Sequence, residues 1–309
     1  MIGAMAAALA LDAVLGWPQV AYNRIGHPVT WMGRLIALLD TRLNDGTPEA
    51  RRRAGVLTVV VTLAAVLVPA VFLQSALSGG LTATLVTGLL AWPLVAARSL
   101  HDHVAAVAVP LAAGDIATAR GEVAKIVGRD PAQLDASGIA RAAIESLAEN
   151  ASDGVIAPLF WGAIFGLPGI AAYKAINTMD SMIGHRTPRH EHFGRAAARV
   201  DDVANWIPAR LTGALFCVVA PAPKAALKAM RRDARKHRSP NAGWPEAAMA
   251  AALGCRLSGP RVYGDRVADE PWLNADAPDA TAAAPGRSLD LYRRAILIAG
   301  AVLVAGWVA

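Results

Sequence analysis

The chain has 309 residues, 55% of them hydrophobic and only 17% charged, with a mean hydropathy of +0.38. That balance argues against a purely soluble chain and places it in the membrane class. The 30 Lys and Arg against 24 Asp and Glu give a net +6, yet no basic groove is interleaved with aromatics and no helix-turn-helix or zinc-finger spacing occurs, so nucleic acid is not an expected partner.

Residues 2–15 form an apolar run that no Lys or Arg precedes and that Asp12 interrupts, which reads as a retained membrane helix rather than a signal peptide. A loop with Pro18, Gly26 and Pro28 leads to an amphipathic piece over 29–43. Arg24, Arg34, Arg42 and Arg51 to Arg53 make this region cytoplasmic by the positive-inside rule. The uncharged stretch 54–77 exceeds the ~20 residues that a bilayer crossing needs; after a Ser-Gly-Gly turn, 81–97 returns as a second span.

Residues 101–147 alternate polar and apolar at helical spacing, with breaks at Gly114-Asp115 and at GRDPAQ, where Asp130 is placed to cap a helix. The segment 98–153 is therefore expected as cytoplasmic helices. Val155 to Tyr173 is apolar but holds Pro158 and the GLPG break at 166–169. Residues 174–199 carry five Lys or Arg and 224–238 carry seven, so both flanking loops, 174–202 and 223–294, prefer the cytoplasm. At least one of 155–173 and 203–222 is then re-entrant or embedded in the bundle rather than a simple crossing. A short Ala-rich helix over 245–257, an Ala/Asp/Pro-biased flexible linker over 268–290 and a final helix over 295–309 complete the reading. The expected fold is all-α: one polytopic membrane bundle spanning 1–309, with cytoplasmic helical loops and a broken or re-entrant helix.

Chemistry concentrates in Glu145 to Arg210. Asp201, Asp202 and Asn205 put a carboxylate and an amide on one helical face with a second carboxylate adjacent, hard oxygen donors that suit magnesium. Glu149 and Asp153 precede the apolar run, and acidic groups gain nothing at a helix C-terminus, so they join the metal candidates. Arg186, Arg189, Arg195 and Arg199 match phosphate oxygens by their planar forks, although positive-inside topology alone would also place them there. His185, His190 and His192 fit no familiar zinc spacing, and Cys217 and Cys255, without CxxC spacing, are expected as packed thiols. No GxxxxGK[ST] loop, GxGxxG turn or GxSxG elbow occurs.

Several long motifs in one order carry a family resemblance. They are LDAVLGWP, HPVTWMG, IVGRD, RAAIESLAENASDGVIAPLFW, AYKAINTMDSMIGHR, FGRAAARVDDVANWIPARL and RRDARKHRSPNAGWPEA. Over nearly its whole length the chain resembles the adenosylcobinamide-phosphate synthase family of cobalamin biosynthesis, CobD or CbiB. The resemblance implies a multi-pass cell-membrane ligase, its active site on the cytoplasmic face, that joins the carboxylate of adenosylcobyric acid to the amine of aminopropanol or its phosphate. Other membrane enzymes of that pathway would be its partners.

Such a reaction calls for ATP and Mg. On this reading Glu149, Asp153, Asp201, Asp202 and Asn205 organise metal and nucleotide. Lys174, Arg186, Arg189, Arg195, Arg199 and Asn177 hold phosphate or substrate, and Glu145 or Asp180 takes the proton from the ammonium. Ala151 and His185 stand where the family commonly has Thr and Tyr, so neither receives a role. Two other classes use similar features: an aspartate-rich membrane transferase of prenyl groups or phosphoalcohols, and a membrane sensor or transporter without catalysis.

Overall fold

The computed structural model describes every residue except 129, 130, 264 and 265. The helices follow in chain order: α1 (Ile2–Leu15), α2 (Gln19–Ile25), α3 (Pro28–Leu43), α4 (Pro48–Ala76), α5 (Leu81–Ala91), α6 (Ala97–Ala112) and α7 (Ile116–Val123). Next come α8 (Ala136–Ala151), α9 (Ala157–Met179), α10 (Arg195–Ala204), α11 (Trp206–Val219), α12 (Pro223–Asp233), α13 (Gly243–Leu253) and α14 (Ala284–Val308). Among the described residues, strands are confined to two short antiparallel pairs, Leu257–Ser258 with Trp272–Leu273 and Arg261–Tyr263 with Arg266–Ala268. Among the described residues, four helical stretches are long and apolar enough to cross a membrane, or five if α1 is joined to the α2–α3 stretch across their 108° bend.

Helix starts follow from local chemistry. Thr47 accepts from the Ala50 N–H at the head of α4, with Pro48 in the first turn where its missing N–H costs nothing. Asp115 caps α7 and Asp135 caps α8. The cap expected at Asp130, like the end of the IVGRD motif, lies outside the described residues. Within the span expected over 81–97, α5 gives way at Trp92–Leu94 to a 3₁₀ turn, where Pro93 supplies no amide proton, and the apolar stretch long enough to cross runs on through α6 to Ala112. The last helix begins at Ala284, earlier than the expected 295, so Arg287, Asp290, Arg293 and Arg294 ride on its first turns.

Two compact units result: 1–96 with 157–205 and 302–309, and 97–156 with 206–301. In the first, the break expected at GLPG decides the architecture. Gly166 has φ 68°, ψ −145°, a conformation that only glycine adopts without strain. A Cβ added at Gly162 would lie 3.3 Å from the Ile170 Cβ, and one at Gly169 would lie 2.2 Å from the Trp161 carbonyl oxygen. Residues eight apart in a straight helix are separated by about 12 Å, so α9 is two arms, 157–165 and 167–179, folded against each other.

Helix α4 flanks this hairpin along its length. Val59 packs with Met179 and Ile183 at the hairpin's base, together with Ile36 and Phe193. At its tip the Gln74 side-chain oxygen accepts from the Leu167 N–H at 2.8 Å. That donor opens the second arm and has no intrahelical acceptor, and in lipid an unmet amide costs several kcal/mol. From residue 59 to 74 the helix rises about 22 Å, most of a hydrocarbon core of roughly 30 Å. The two arms of α9 thus lie back to back beside α4, although length and hydropathy alone would count 136–184 as one span.

In the second unit α8 is buried along nearly its whole length. Two guanidinium groups lie over the Trp272 ring, Arg141 at 5.0 Å from its centroid and Arg256 at 4.2 Å; Arg256 pairs with Asp279 at 2.7 Å. The stretch expected as a flexible linker, 268–290, therefore carries a strand, an ion pair, buried Leu273 and Ala280, and the first turns of α14. It meets α8 where Trp272 lies under Arg141, and α13 where the Asn274 amide donates to the Ala250 carbonyl at 3.4 Å.

Asp233, 1% exposed, is a hub of the same unit: Arg232 reaches it at 2.6 Å, Lys236 at 2.7 Å, and the Asn274 N–H at 2.9 Å. Burial would raise its carboxyl, but the Arg232 and Lys236 contacts outweigh that and bring it down to about 2. Its charge therefore stabilises the fold above the ordinary carboxylate pKa, and the effect fades as pH falls toward 2. Because both cations are half exposed, Asp233→Asn is expected to lower stability by about 1–2 kcal/mol at pH 7. The deficit should shrink at pH 3, which thermal melting in detergent would read.

Candidate functional site

In the first unit the second arm of α9, the π-helical turn Asp180–Gly184 that follows it and helix α10 meet through polar groups. Tyr173, Asn177 and Asp180 recur at i, i+4 and i+7, one face of a helix. Facing them is Asp201, 7% exposed in the last turn of α10, where the helix dipole opposes negative charge.

Hydrogen bonds fix this carboxylate. Tyr173 Oη donates to Asn205 Oδ1 at 2.8 Å, and Asn205 Nδ2 donates to Asp201 Oδ2 at 2.9 Å. Asp201 Oδ1 is buried and makes no hydrogen bond of good geometry among the described residues, although the Asn177 amide lies close enough to favour its charge. Burial, and then the negative charge of Asp180, push the Asp201 carboxyl up to about 7, with Asn205 pulling the other way. Asp202 is more exposed; burial raises it too, opposed by the Arg186 guanidinium. Gly184 closes the π turn over Asp180, since a Cβ there would fall 2.0 Å from Asp180 Oδ1. Such π turns inside helices concentrate at functional sites.

The structure thus brings together Asp180, Asp201, Asp202, Asn177 and Arg186 of the expected set, and adds Tyr173. Lys174 interacts electrostatically with His27. Arg195 and Arg199 are exposed on α10. Two residues have other work. Both ends of the Asn205 amide are occupied, which makes it a positioning group rather than a metal ligand. Arg189 spends its Nε, at 3.0 Å, and Nη2, at 2.8 Å, on one oxygen of Asp40, while Arg51 and Asn44 donate to its carbonyl, so it clamps the 185–194 loop to α3 and α4.

Glu145, Glu149 and Asp153 belong to the second unit. Glu145 is buried and accepts from the Ser258 N–H at 2.7 Å, bracing a non-glycine residue with φ 60°. That contact gives Glu145 a structural role in the second unit. Glu149 is exposed near the end of α8, and Asp153 sits in the π-helical turn Ser152–Ile156.

Among the described residues no three His, Cys, Asp or Glu side chains converge tightly enough to hold a metal by themselves. The donor set does not fit a resident ion coordinated only by protein. It fits magnesium that keeps several waters and arrives with phosphate, for which one or two carboxylates suffice.

Tyr173 is a site residue that no motif or charge pattern singles out. Its signal is its register, one turn before Asn177 and two before Asp180 on one face, which charge and motif do not display.

Comparison with known proteins agrees with the motif resemblance. The family profile described as "CobD/Cbib protein" matches residues 5–292. The chain is 60% identical over 305 residues to a cobalamin biosynthesis protein CobD of Rhodobacter capsulatus, covering 99% of this chain and 96% of that one. It is 49% identical over 277 residues to the protein of the same name from Brucella suis, covering 87% and 85%, and 47% identical over 285 residues to that of Rhizobium meliloti, covering 89% and 87%. No solved structure matches it. With the profile running through the α9 hairpin and the Asp180–Asp201 site, the chain belongs to the CobD/CbiB family.

Proposed function

We propose that this protein is a membrane ligase of cobalamin biosynthesis, forming the amide between the carboxylate of adenosylcobyric acid and the amine of aminopropanol or aminopropanol phosphate. The observation that carries the reading is the buried Asp201 carboxylate held beside Asp180, within the motifs that mark the family. Two like charges in one dry place are expensive unless a cation or a proton is handled there.

Nucleotide with magnesium, when bound, supplies the leaving group that activates the corrinoid carboxylate. Asp201 and Asp202 would hold that cation through its waters. Arg186 and Lys174 would neutralise phosphate oxygens, with Asn177 orienting them and Arg195 and Arg199 at the approach. An alkylammonium cannot attack until it loses a proton, and Asp180, beside Asp201 and Asp202, would accept it. Tyr173 and Asn205 keep the Asp201 oxygen pointed inward.

Purified protein in lipid, given adenosylcobyric acid, aminopropanol phosphate, ATP and Mg²⁺, should form adenosylcobinamide phosphate and consume nucleotide only when both organic substrates are present. Turnover of prenyl diphosphates instead would assign the aspartates to a prenyl transferase. No turnover of either, with specific corrinoid binding, would favour a sensor or transporter.

A further inference from the structure

Helices α11 and α12 form a second hairpin whose composition conflicts with crossing a bilayer. Met230 Sδ of α12 lies 3.9 Å from Cys217 Sγ of α11, and a Cβ added at Gly213 of α11 would lie 2.7 Å from the Met230 sulfur. Further along, Arg235 acts on Arg210 and Arg231 on Cys217. Numbers rise on one helix as they fall on the other, so the two run antiparallel, side by side.

Each helix leaves one stripe uncovered. On α11 it is apolar: Ile207, Leu211, Ala214 and Val218, all exposed, at i, i+4, i+7 and i+11. On α12 and the turn after it the same spacing gives Lys224, Lys228, Arg231 and Arg235, also exposed. Asp233 holds Arg232 and Lys236, and among the described residues no acidic partner faces the other four. A hairpin standing upright in a bilayer would drag these cations through hydrocarbon beside the apolar stripe, because they run the length of the neighbouring helix. At Trp206–Val219, moreover, α11 rises only about 21 Å, short of a crossing. Lying flat satisfies both stripes.

We propose that the α11–α12 hairpin lies in the plane of the bilayer surface, with the α11 stripe in the acyl boundary and Lys224, Lys228, Arg231 and Arg235 binding the phosphodiester groups of anionic phospholipids. A ridge about 16 Å long with cations one turn apart suits a row of separate headgroups better than one compact anion. The proposal rests on the membrane placement of the chain and is independent of the catalytic reading.

The test uses the full-length protein in nanodiscs of phosphatidylcholine with a minority of phosphatidylglycerol, and counts retained lipids by native mass spectrometry. The wild type should enrich phosphatidylglycerol by roughly tenfold, with the enrichment weakening at high salt. The K224Q/K228Q/R231Q/R235Q variant should lose it while keeping its melting temperature, and exchanging Lys and Arg among the four positions should preserve it. Equal retention of both lipids by the wild type, or enrichment unchanged in the glutamine variant, would overturn the proposal. So would millimolar inorganic phosphate or ATP displacing the lipid without any matching effect of salt, since that assigns the ridge to a soluble anion.

Discussion

Asp201→Asn is expected to reduce kcat/KM for amide formation by about a thousandfold or more, while leaving the protein as stable as the wild type or more so. The second half follows from linkage. A carboxyl whose folded-state pKa lies near 7, above its ordinary value, binds its proton more tightly in the folded chain than in the unfolded one. Stability contributed by that group is therefore present at pH 4 and lost as pH rises through about 7. Asparagine keeps the shape and the hydrogen bond from Asn205 and removes the charge that opposes Asp180. The variant should accordingly melt higher than wild type at pH 8, by an amount worth one to a few kcal/mol, with little difference at pH 4. Proton and metal also compete for the same oxygens, so the apparent Mg²⁺ affinity of the wild type should fall by up to about tenfold per pH unit below 7 and level off above it. An Asp201→Asn enzyme that keeps magnesium-dependent turnover would remove this residue from the mechanism. Loss of activity together with a lower melting point would instead make Asp201 a scaffold residue.

That trade of stability for charge explains why the site was only partly legible in the sequence. Carboxylates such as Asp201 and Asp202 stand out by composition, because acids are scarce near apolar runs and costly there. Residues that act through geometry do not. Tyr173 looks like one more apolar residue of an amphipathic arm until its hydroxyl is found on Asn205. Conversely Arg189, which motif and charge proposed for phosphate, is explained by Asp40, a partner distant in sequence that no local pattern reveals.

The fold was more legible than the site, because hydropathy, Gly166 and Pro168 are local signals. The helices over 2–15 and 54–77, the amphipathic piece that became α3 and the break in α9 all fell where the sequence put them. What it could not show was how far the chain turns at Gly166, or that residues rich in Ala, Asp and Pro would pack as β-paired structure against α8. Both depend on contacts supplied by segments remote in sequence: Gln74 for the turn and Arg256 with Arg141 for the packing.

The turn at Gly166 gives the second large effect. Gly169→Leu would drive a side chain into the Trp161 carbonyl, 2.2 Å from the required Cβ, where backbone rather than a flexible side chain stands in the way. The two arms then cannot close, and the variant should fail to accumulate or should melt more than about 4 kcal/mol below wild type. Gln74→Leu tests the same element without a clash: it keeps the bulk but leaves the Leu167 N–H without its acceptor, at an expected cost of about 2–4 kcal/mol.

The same geometry makes a topology prediction. A hairpin whose two arms stay folded beside a membrane-crossing α4 enters and leaves the bilayer on one side. Single cysteines replacing Asn150, before the hairpin, and Met182, after it, should therefore both react with a membrane-impermeant maleimide from the face that also labels a cysteine at Arg52. Native Cys217 and Cys255 are buried, so they should add little background in the folded protein. Labelling of positions 150 and 182 from opposite faces would mean that α9 crosses. The stacked arms would then have to open in the bilayer, and Asp180 and Asp201 would lose the shared base that holds them together.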